Sequence, residues 1–287
     1  MTASGTFGYG VDEAAKLNVD ELGAVVCKGT FLKPRDGNPQ PRLVETPSGM
    51  LNSIGLQGVG VDKLVSNYAP QWARWNTPVI VNICGESMAE YAEIARRLNG
   101  VDGVSGLEVN ISCPNVHKGG MEFGTDPDIA AQITSAVKAA TKLPVIVKLT
   151  PSAPDIVAVA QAVANAGADA VSLINTIVGM AIDIEKRKPV LPNGIGGLSG
   201  PAIKPIALAI VYRVAEAVDI PIIGIGGISN ANDVLEFILA GASAVQIGTA
   251  GMISPGVLIK IIDGMQEYLE ESNVNSVSEL IGKARLQ

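Results

Sequence analysis

The sequence predicts an α/β fold, a (β/α)8 TIM barrel formed by a single domain over residues 1–287, and three observations support it. Apolar residues make up 47% of the chain and charged residues only 17%, so the chain can bury a large core. Aromatic residues are only 4%, while 32 glycines are present, which is typical of buried parallel strands joined to helices by tight turns. Short apolar runs alternate with segments of helical periodicity, which indicates parallel pairing with right-handed crossovers.

Short apolar runs that end in a polar or glycine residue predict the strands. In chain order they are Ala24–Lys28, Pro78–Asn82, Leu107–Asn110, Pro144–Lys148, Ala170–Asn175, Ile220–Gly226 and Ala244–Gly248. These are seven strands, and a closed barrel of this class needs eight. We expect the first strand to be truncated, because Met1–Gly5 is typical of the exit of a strand whose body lies upstream. An open seam between the second and last barrel strands would follow.

Helices are predicted between most of these strands by apolar residues at three- and four-residue spacing. They are Glu86–Leu98, Pro127–Thr141, Pro154–Ala166, Ile203–Val218, Ala231–Ala240 and Pro255–Glu271. Gly167 and Gly241 follow two of them as stop signals. Val277–Arg285 predicts a short surface helix. The uncharged stretch Phe237–Ile259 contains several glycines and Pro255, so it indicates a helix end, a buried strand and a loop rather than a membrane span.

Three connections are longer than the two to six residues usual for this architecture. Cys113–Thr125 and Ile177–Gly200 follow predicted strands, and so does Thr30–Gly60, an irregular stretch rich in Pro, Gly and Asn. Long loops at the carboxyl ends of barrel strands tend to carry function.

Charge and cysteine content exclude several classes of partner and site. The formal charge is −7, which argues against nucleic acid or an anionic membrane as partner. The three cysteines, Cys27, Cys84 and Cys113, form no CxxC pair, so we expect neither a disulfide framework nor a structural zinc site. We also expect a cytoplasmic location. His117 is the only histidine, so we expect no histidine metal cluster and no Ser-His-Asp triad. The first residues lack the basic and apolar regions of a signal peptide.

Polar residues end five of the predicted strands: Lys28, Asn82, Asn110, Lys148 and Asn175. Lysine and asparagine are depleted in strands, and a buried amine or amide needs partners. Because the carboxyl ends of parallel strands meet at one barrel mouth, where barrel active sites lie, we interpret these residues as the wall of a polar ligand site. Satisfied polar strand ends are the alternative for any one of them.

Glycines follow the last two strands, as Gly226-Gly227 and Gly248-Thr249, and Gly200 precedes a predicted helix. The loops after strands seven and eight of such barrels frequently bind phosphate through backbone N–H groups, and glycine permits close approach. Ordinary tight turns are the alternative. A phosphate site together with two buried lysines suggests a phosphorylated cofactor such as FMN.

Cys113 begins a long loop and stands between Asn110 and Asn115. A buried inert thiol is the usual state of a cysteine, and we assign it to the other two. Cys113 lies outside the apolar run, so it is our candidate for a base or a nucleophile. His117, in the same loop, is interpreted as exposed rather than catalytic.

Together these features resemble class 1 dihydroorotate dehydrogenases, specifically the catalytic subunit of the NAD-linked class 1B type, over nearly the whole length. The motifs that carry the resemblance are Ala3-Ser4-Gly5-Thr6-Phe7-Gly8, Lys28, Gly37-Asn38-Pro39 with Pro41-Arg42, Ser48–Leu56, Asn110–Asn115, Lys148, Ile174-Asn175-Thr176, Ser199–Lys204, Ile225-Gly226-Gly227 and Gly248-Thr249. Family members carry a first strand ahead of the Ala3-Ser4-Gly5 motif, in agreement with the strand count.

The resemblance implies oxidation of dihydroorotate to orotate in pyrimidine biosynthesis, with FMN as hydride acceptor. Cys113 would be the base that removes the C5 proton. Substrate contacts would come from Lys28, Asn52, Ser53, Ile54, Gly55, Leu56, Asn110, Asn115, Asn175 and Thr176. FMN contacts would come from Ser4, Lys28, Gly29, Asn82, Asn110, Lys148, Ile174, Gly200, Gly226, Gly227, Gly248 and Thr249. No metal site is implied in this chain.

The class 1B resemblance also implies an electron-transfer subunit that carries FAD and a [2Fe–2S] cluster and passes electrons to NAD. The expected assembly is a homodimer of catalytic chains within a heterotetramer. Three scattered cysteines cannot house the cluster here. Two alternatives stay open: a class 1A-type enzyme that reduces fumarate, and a truncated fragment that holds no flavin. A sugar-phosphate barrel leaves the asparagines and the Asn110–Asn115 motif unexplained.

Overall fold

The computed structural model describes residues 1–112, 114–115 and 121–284. In this part of the chain the strands are β1 Val25–Val26, β2 Leu43–Thr46, β3 Gly49–Asn52, β4 Val79–Ile83, β5 Gly106–Asn110, β6 Pro114–Asn115, β7 Met121–Glu122, β8 Val145–Lys148, β9 Ala170–Leu173, β10 Ile177–Gly179, β11 Ile182–Asp183, β12 Lys188–Pro189, β13 Gly196–Ser199, β14 Ile222–Ile225 and β15 Ala244–Gln246.

The main sheet is parallel and contains all seven predicted strands. Among the described residues its order is β1-β4-β5-β8-β9-β14-β15, so neighbouring strands follow one another along the chain. Hydrogen-bonded registers such as Asn82 with Glu108 and Asn110 with Lys148 place the polar strand ends side by side. The sheet curls with helices outside it, and the predicted α/β barrel is confirmed.

The described helices, six of them near their predicted bounds and three short ones that were not predicted, pack on the outer face of the sheet. They are α1 Val61–Lys63, α2 Ala69–Trp72, α3 Met88–Leu98, α4 Pro127–Ala140, α5 Ile156–Asn165, α6 Lys204–Ala215, α7 Ala231–Ala240, α8 Thr249–Ile253 and α9 Val257–Glu271, with a π-helical turn at Leu64–Tyr68 and 3-10 turns at Val19–Glu21, Phe123–Thr125, Pro201–Ile203 and Val277–Leu280. Side chains cap several amino ends, as where Ser87 accepts from the N–H of Glu90 at 3.3 Å. Of the surface helix predicted over Val277–Arg285, the residues described up to 284 form only the 3-10 turn Val277–Leu280, and Arg285 lies outside them.

Phe237–Ile259 contains the predicted helix end and strand, but the part predicted as a loop includes the short helix α8. Gly241, with φ 120°, ends α7, and β15 follows directly. Among the described residues, no helix combines the length and apolar character needed to cross a bilayer.

The seam between β1 and β15 is bridged, which corrects the expectation that it is open. The N–H of Ala3 donates to the carbonyl of Ile247 at 2.9 Å, and the N–H of Ile247 donates to the carbonyl of Met1 at 3.0 Å. On the other side, the N–H of Thr2 donates to the carbonyl of Ala24 at 3.3 Å, and its Oγ1 accepts from the N–H of Val26 at 2.9 Å. Three residues therefore occupy the place of the eighth strand.

Side chains alternate between the two faces of the barrel strands. Valines such as Val81, Val109 and Val147 are fully buried in the main core, which includes residues of the surrounding helices. A separate apolar cluster around Ile146 and Ile223 fills the barrel interior toward the amino ends of the strands. Toward the carboxyl ends of the strands the side chains of the barrel interior are polar, and they form the floor of the site.

Two of the long connections, Thr30–Gly60 and Ile177–Gly200, contribute the strands of a second, antiparallel sheet, in the order β10-β13-β3-β2 among the described residues. Its registers align Val178 with Gly197, Gly197 with Asn52, and Asn52 with Leu43. Residues opposite one another in an antiparallel sheet point to the same face. All four of these residues line one cavity, so this sheet covers the barrel mouth.

Candidate active site

A cavity of about 890 Å³ opens at the carboxyl ends of the barrel strands. This volume lies in the range of small-molecule and cofactor sites. Every predicted site residue whose side chain is described contributes to its lining: Ser4, Lys28, Gly29, Asn52, Ser53, Ile54, Gly55, Leu56, Asn82, Asn110, Lys148, Ile174, Asn175, Thr176, Gly200, Gly226, Gly227, Gly248 and Thr249. The interpretation of five polar strand ends as one wall therefore agrees with the geometry.

The side chain of Asn175, which follows β9, forms hydrogen bonds to residues at the end of β5, although β8 lies between these two strands. Asn175 Nδ2 donates to Ser112 Oγ at 2.8 Å and to Asn110 Oδ1 at 3.4 Å, while Asn175 Oδ1 accepts from the N–H of Thr176 at 2.8 Å. Asn110 Oδ1 also accepts from the N–H of Ser112 at 3.1 Å. These bonds fix the orientation of the amides, and they tie the chain directly before Cys113 to the barrel.

Two lysines bring positive charge to the cavity. Lys148 is 5% exposed, and its Nζ donates to Ser4 Oγ at 3.0 Å. Lys28 is partly buried, and its pKa is lowered, first by burial and then by the charge of Arg42. The Arg42 guanidinium is held in turn by the carbonyls of Asn38 and Asp36. A cavity with two cationic side chains and several amides suits an anionic ligand that carries amide groups.

The backbone at Ser53–Leu56 forms a tight turn against Asn38. Asn38 Nδ2 donates to Ser53 Oγ at 3.0 Å, and the N–H of Asn38 donates to the carbonyl of Ile54 at 3.0 Å. Gly55 has φ 72°, and a Cβ there would lie 2.5 Å from Asn38 atoms. Only glycine fits this position, so the turn presents its backbone to the cavity in a fixed conformation.

Three glycine-containing turns converge at the other end of the cavity. A Cβ on Gly227 would lie 2.9 Å from the carbonyl oxygen of Gly200, and a Cβ on Gly200 would lie 3.6 Å from Thr249 Cγ2. Thr249 Oγ1 donates to Ser199 Oγ at 2.8 Å, which joins the covering sheet to the turn after β15. We call Gly200, Gly226, Gly227, Gly248 and Thr249 the glycine cradle. Its open backbone is typical of a phosphate site.

Ion pairs behind the glycine cradle hold it against α6. Lys204 Nζ donates to Asp233 Oδ1 at 2.6 Å and to Glu236 Oε1 at 2.8 Å, and these carboxylates raise the pKa of Lys204. Asp233 Oδ2 accepts from the N–H of Ser229 at 2.8 Å. The charge of Lys204 is therefore engaged in supporting the turn that follows β14.

Cys113, the predicted base, lies outside the described residues, and so does His117. Asn115 belongs to β6, where it pairs with Met121 of β7. The described chain reaches Ser112, whose side chain lines the cavity. Cys27 and Cys84, assigned as inert, are both buried, and burial raises the pKa of the Cys27 thiol to about 12.

Several residues of the site were not predicted from the sequence. Ser112 and Ser199 line the cavity, and Leu43 and Val178 cover it from the second sheet. The largest omission is Glu108, a fully buried carboxylate inside the barrel below Asn82 and Lys148. A charged residue within the apolar run Leu107–Asn110 was the signal for it. Within the described part of the chain, no three His, Cys, Asp or Glu residues gather as metal ligands would.

Comparisons with known proteins give one consistent result. A family model described as "Dihydroorotate dehydrogenase" matches residues 1–269. A protein of Desulforamulus reducens is 58% identical over 285 residues, 99% of this chain and 94% of the relative. A protein of Pelobacter propionicus is 59% identical over 282 residues (98% and 93%), and one of Geobacter sp. M21 is 56% identical over 286 residues (100% and 94%). Each is named "Dihydroorotate dehydrogenase B (NAD(+)), catalytic subunit".

Proposed function

The chain belongs to the dihydroorotate dehydrogenase family, and from that membership we propose that it oxidises dihydroorotate to orotate, with FMN as hydride acceptor and Cys113 as base. One observation carries the assignment of the site. Two lysines, five asparagines and the glycine cradle all line a single cavity at the barrel mouth. A flat acid with ring amides and a phosphorylated cofactor together need this combination of groups.

The amides and backbone of the cavity suit the substrate. Asn52, Asn110 and Asn175 offer both donors and acceptors, and Lys28 offers a cation for the carboxylate. Ser53, Ile54, Gly55 and Leu56 add backbone groups from the fixed turn. Thr176 and Asn115 complete the proposed substrate contacts. We place the substrate between this group and the segment that contains Cys113.

The glycine cradle and the lysines fit FMN. Because a Cβ on Gly227 would lie 2.7 Å from Lys204 Cβ, the turn can pack this closely against α6 only with glycine present. The glycine cradle would hold the phosphate through backbone N–H groups. The flavin ring would be lined by Ser4, Gly29, Asn82, Asn110 and Ile174. Lys148 would lie below the ring, at the floor of the cavity. FMN, when bound, supplies the acceptor for the hydride that leaves C6 of the substrate.

The chain's own residues handle the proton and the charge. Cys113 would take the proton from C5, and with loss of hydride from C6 the C5–C6 double bond of orotate forms. Asn110 and Asn175 would hold the ring with C5 toward Cys113. Lys148 would place its positive charge where negative charge accumulates as hydride departs from the substrate. The covering sheet would exclude water from the reacting atoms.

The names of the relatives point to a second protein. The relatives are named as catalytic subunits of NAD⁺-linked enzymes, and these names favour NAD⁺ over fumarate as the final electron acceptor. We propose that this chain passes electrons to a partner subunit that carries FAD and a [2Fe–2S] cluster. Two catalytic chains and two partner chains form the proposed assembly.

An absorbance spectrum of the purified chain, followed by anaerobic addition of dihydroorotate, tests the proposal. We expect flavin bands that bleach when dihydroorotate is added and return when air is admitted. A yellow protein that ignores dihydroorotate would remove the substrate assignment and keep the cofactor. A protein that stays colourless after incubation with FMN would contradict the cofactor assignment and favour a fragment unable to hold flavin. Fumarate-dependent turnover by this chain alone would favour the class 1A alternative.

A further inference from the structure

A fully buried carboxylate lies inside the barrel beneath the cavity floor. Glu108, on β5, is 0% exposed. Its Oε1 accepts from Asn82 Nδ2 at 2.7 Å, and its Oε2 accepts from Ser172 Oγ at 2.9 Å and from Gln246 Nε2 at 2.6 Å. These donors stand on β4, β9 and β15. Taking a carboxylate out of water is costly, and an apolar filling of similar volume is often at least as stable, so packing alone does not explain Glu108.

Glu108 lies next to the buried lysine of the site. Lys148 Nζ is 3.9 Å from Glu108 Oε1, and the two side chains are 6% and 0% exposed. At this separation and burial, the two charges interact more strongly than a pair in water would. The carboxylate therefore offsets part of the positive charge that Lys148 brings to the cavity.

Glu108 also decides which end of an amide faces the site. Because Asn82 Nδ2 is directed to Glu108, Asn82 Oδ1 is left to accept from Cys84 Sγ at 3.5 Å. The same oxygen would lie 3.2 Å from a Cβ on Gly29, which lines the cavity. Asn82 thus offers an acceptor on the cavity side and keeps its donor below the floor.

Glu108 is connected to the cavity through its neighbours. Asn82 and Lys148 line the cavity, and Glu108 does not. We propose that Glu108 is a positioning residue that sets the reduction potential of the bound flavin through Lys148, and that holds the Asn82 amide with its oxygen toward the cofactor. This inference rests on the proposed binding of FMN.

The sign of the effect follows from the charges. Reduction adds negative charge to the flavin, and Lys148 favours the reduced form. Glu108 weakens that preference because it offsets Lys148. Removing the negative charge of Glu108, while keeping its shape, therefore raises the midpoint potential of the flavin.

Glu108→Gln in the FMN-loaded protein is the direct test, with the midpoint potential measured by anaerobic redox titration. We expect the equilibrium for two-electron reduction to shift at least tenfold toward the reduced form, a rise of about 30 mV. In a Lys148→Met background the same substitution should shift it less than threefold. A purely structural role would give the same shift in both backgrounds, and that result, or no shift in either, would overturn the inference.

The glutamine has a partner ready for it. Gln246 Oε1 is buried without a hydrogen-bond partner among the described residues, so it can accept from the new amide after a rotation of either side chain. Ser172→Ala is the matched control, because it removes one hydrogen bond to Glu108 and keeps its charge. We expect its potential to stay within a threefold change in the same equilibrium, and a larger shift would contradict the charge argument.

Glu108→Asp carries the test if the glutamine variant loses FMN. It keeps the charge but withdraws it from Lys148 by one methylene, so a smaller rise in potential is expected, and an unchanged or lower potential would overturn the inference. Failure of the parent protein to bind FMN would overturn the proposed function itself. Bleaching of the parent by dihydroorotate with unchanged potentials in the Glu108 variants would overturn this inference alone.

Discussion

Asn175 Nδ2 donates to Ser112 Oγ at 2.8 Å, so a residue that follows β9 holds the residue directly before Cys113. The N–H of Ser112 in turn donates to Asn110 Oδ1 at 3.1 Å. Both asparagines are proposed substrate contacts. The bond thus connects the part of the site that would hold the substrate with the segment that would carry the base.

Ser112→Ala removes this connection. A neutral hydrogen bond contributes about 1 kcal/mol, so we expect anaerobic flavin reduction by dihydroorotate to slow roughly fivefold as the start of the Cys113 segment loosens. Stopped-flow absorbance measures that rate. Ser66→Ala, at an exposed serine in a π-helical turn, is the control and should leave the rate unchanged. Equal rates in both variants would show that the connection is unimportant.

Cys113→Ser tests the base. A positioned acid–base group typically contributes 10²- to 10⁴-fold, so we expect flavin reduction to slow by about two orders of magnitude or more. With cysteine the rate should rise with pH through about 8.5, the ordinary thiol pKa, because the thiolate is the base. With serine that rise should move to higher pH. An unchanged rate and pH profile would remove Cys113 from the mechanism.

Thiol labelling separates Cys113 from the buried cysteines. Burial raises the pKa of Cys27 to about 12, so near pH 8.5 almost none of it is the reactive thiolate. Iodoacetamide should then modify Cys113 first and abolish bleaching by dihydroorotate, and labelling of Cys27 should need unfolding or a pH approaching 12. Peptide mass spectrometry locates the label. Labelling of Cys27 at the same rate as Cys113 in folded protein would contradict the assignment.

Gly227→Ala should release the cofactor. The new Cβ would lie 2.7 Å from Lys204 Cβ and 2.8 Å from Lys204 N, so the turn after β14 must shift. We expect the dissociation constant for FMN, measured by flavin fluorescence, to rise more than tenfold. Gly100→Ala is a matched control: its φ is 78° and its Cβ meets nothing within 4 Å.

Both variants carry the cost of a left-handed backbone with a side chain, roughly 1–2 kcal/mol of stability. The midpoint temperature of thermal unfolding should therefore fall in both variants, while FMN affinity should fall only in Gly227→Ala. Unchanged affinity in Gly227→Ala would mean that the glycine cradle does not hold the phosphate.

Gly55→Ala should act on the substrate instead. Its Cβ would lie 2.5 Å from Asn38, which must move and release Ser53. We expect the dihydroorotate concentration for half-maximal flavin reduction to rise about tenfold, because the backbone contacts of the turn are lost. FMN affinity should stay within twofold. A loss of FMN affinity with unchanged substrate dependence would reverse the proposed roles of the two ends of the cavity.

The sequence determined the barrel and most of its mouth. Apolar runs that alternate with helices over most of the chain favour one simple arrangement, in which the strands follow one another around the sheet. Since parallel strands end at the same edge, the five polar strand ends had to meet there, and they are Lys28, Asn82, Asn110, Lys148 and Asn175. That reasoning needs no knowledge of side-chain positions, and each of these residues lines the cavity.

Other features depended on contacts between residues far apart in the chain. Strand β13 pairs with β3 across more than a hundred residues, as where Gly197 lies opposite Asn52, and neither segment shows the pairing by itself. Thr2 bridges the seam only because Ala24 and Ile247 lie on either side of it. Glu108 is satisfied by donors from three other strands, so its sequence neighbours could not reveal its role. The local pattern determined where strands end, because periodicity and chain direction are local properties. Only the tertiary structure decided which distant residues pair or form hydrogen bonds with one another, because long-range hydrogen bonds and buried charges are properties of the assembled fold.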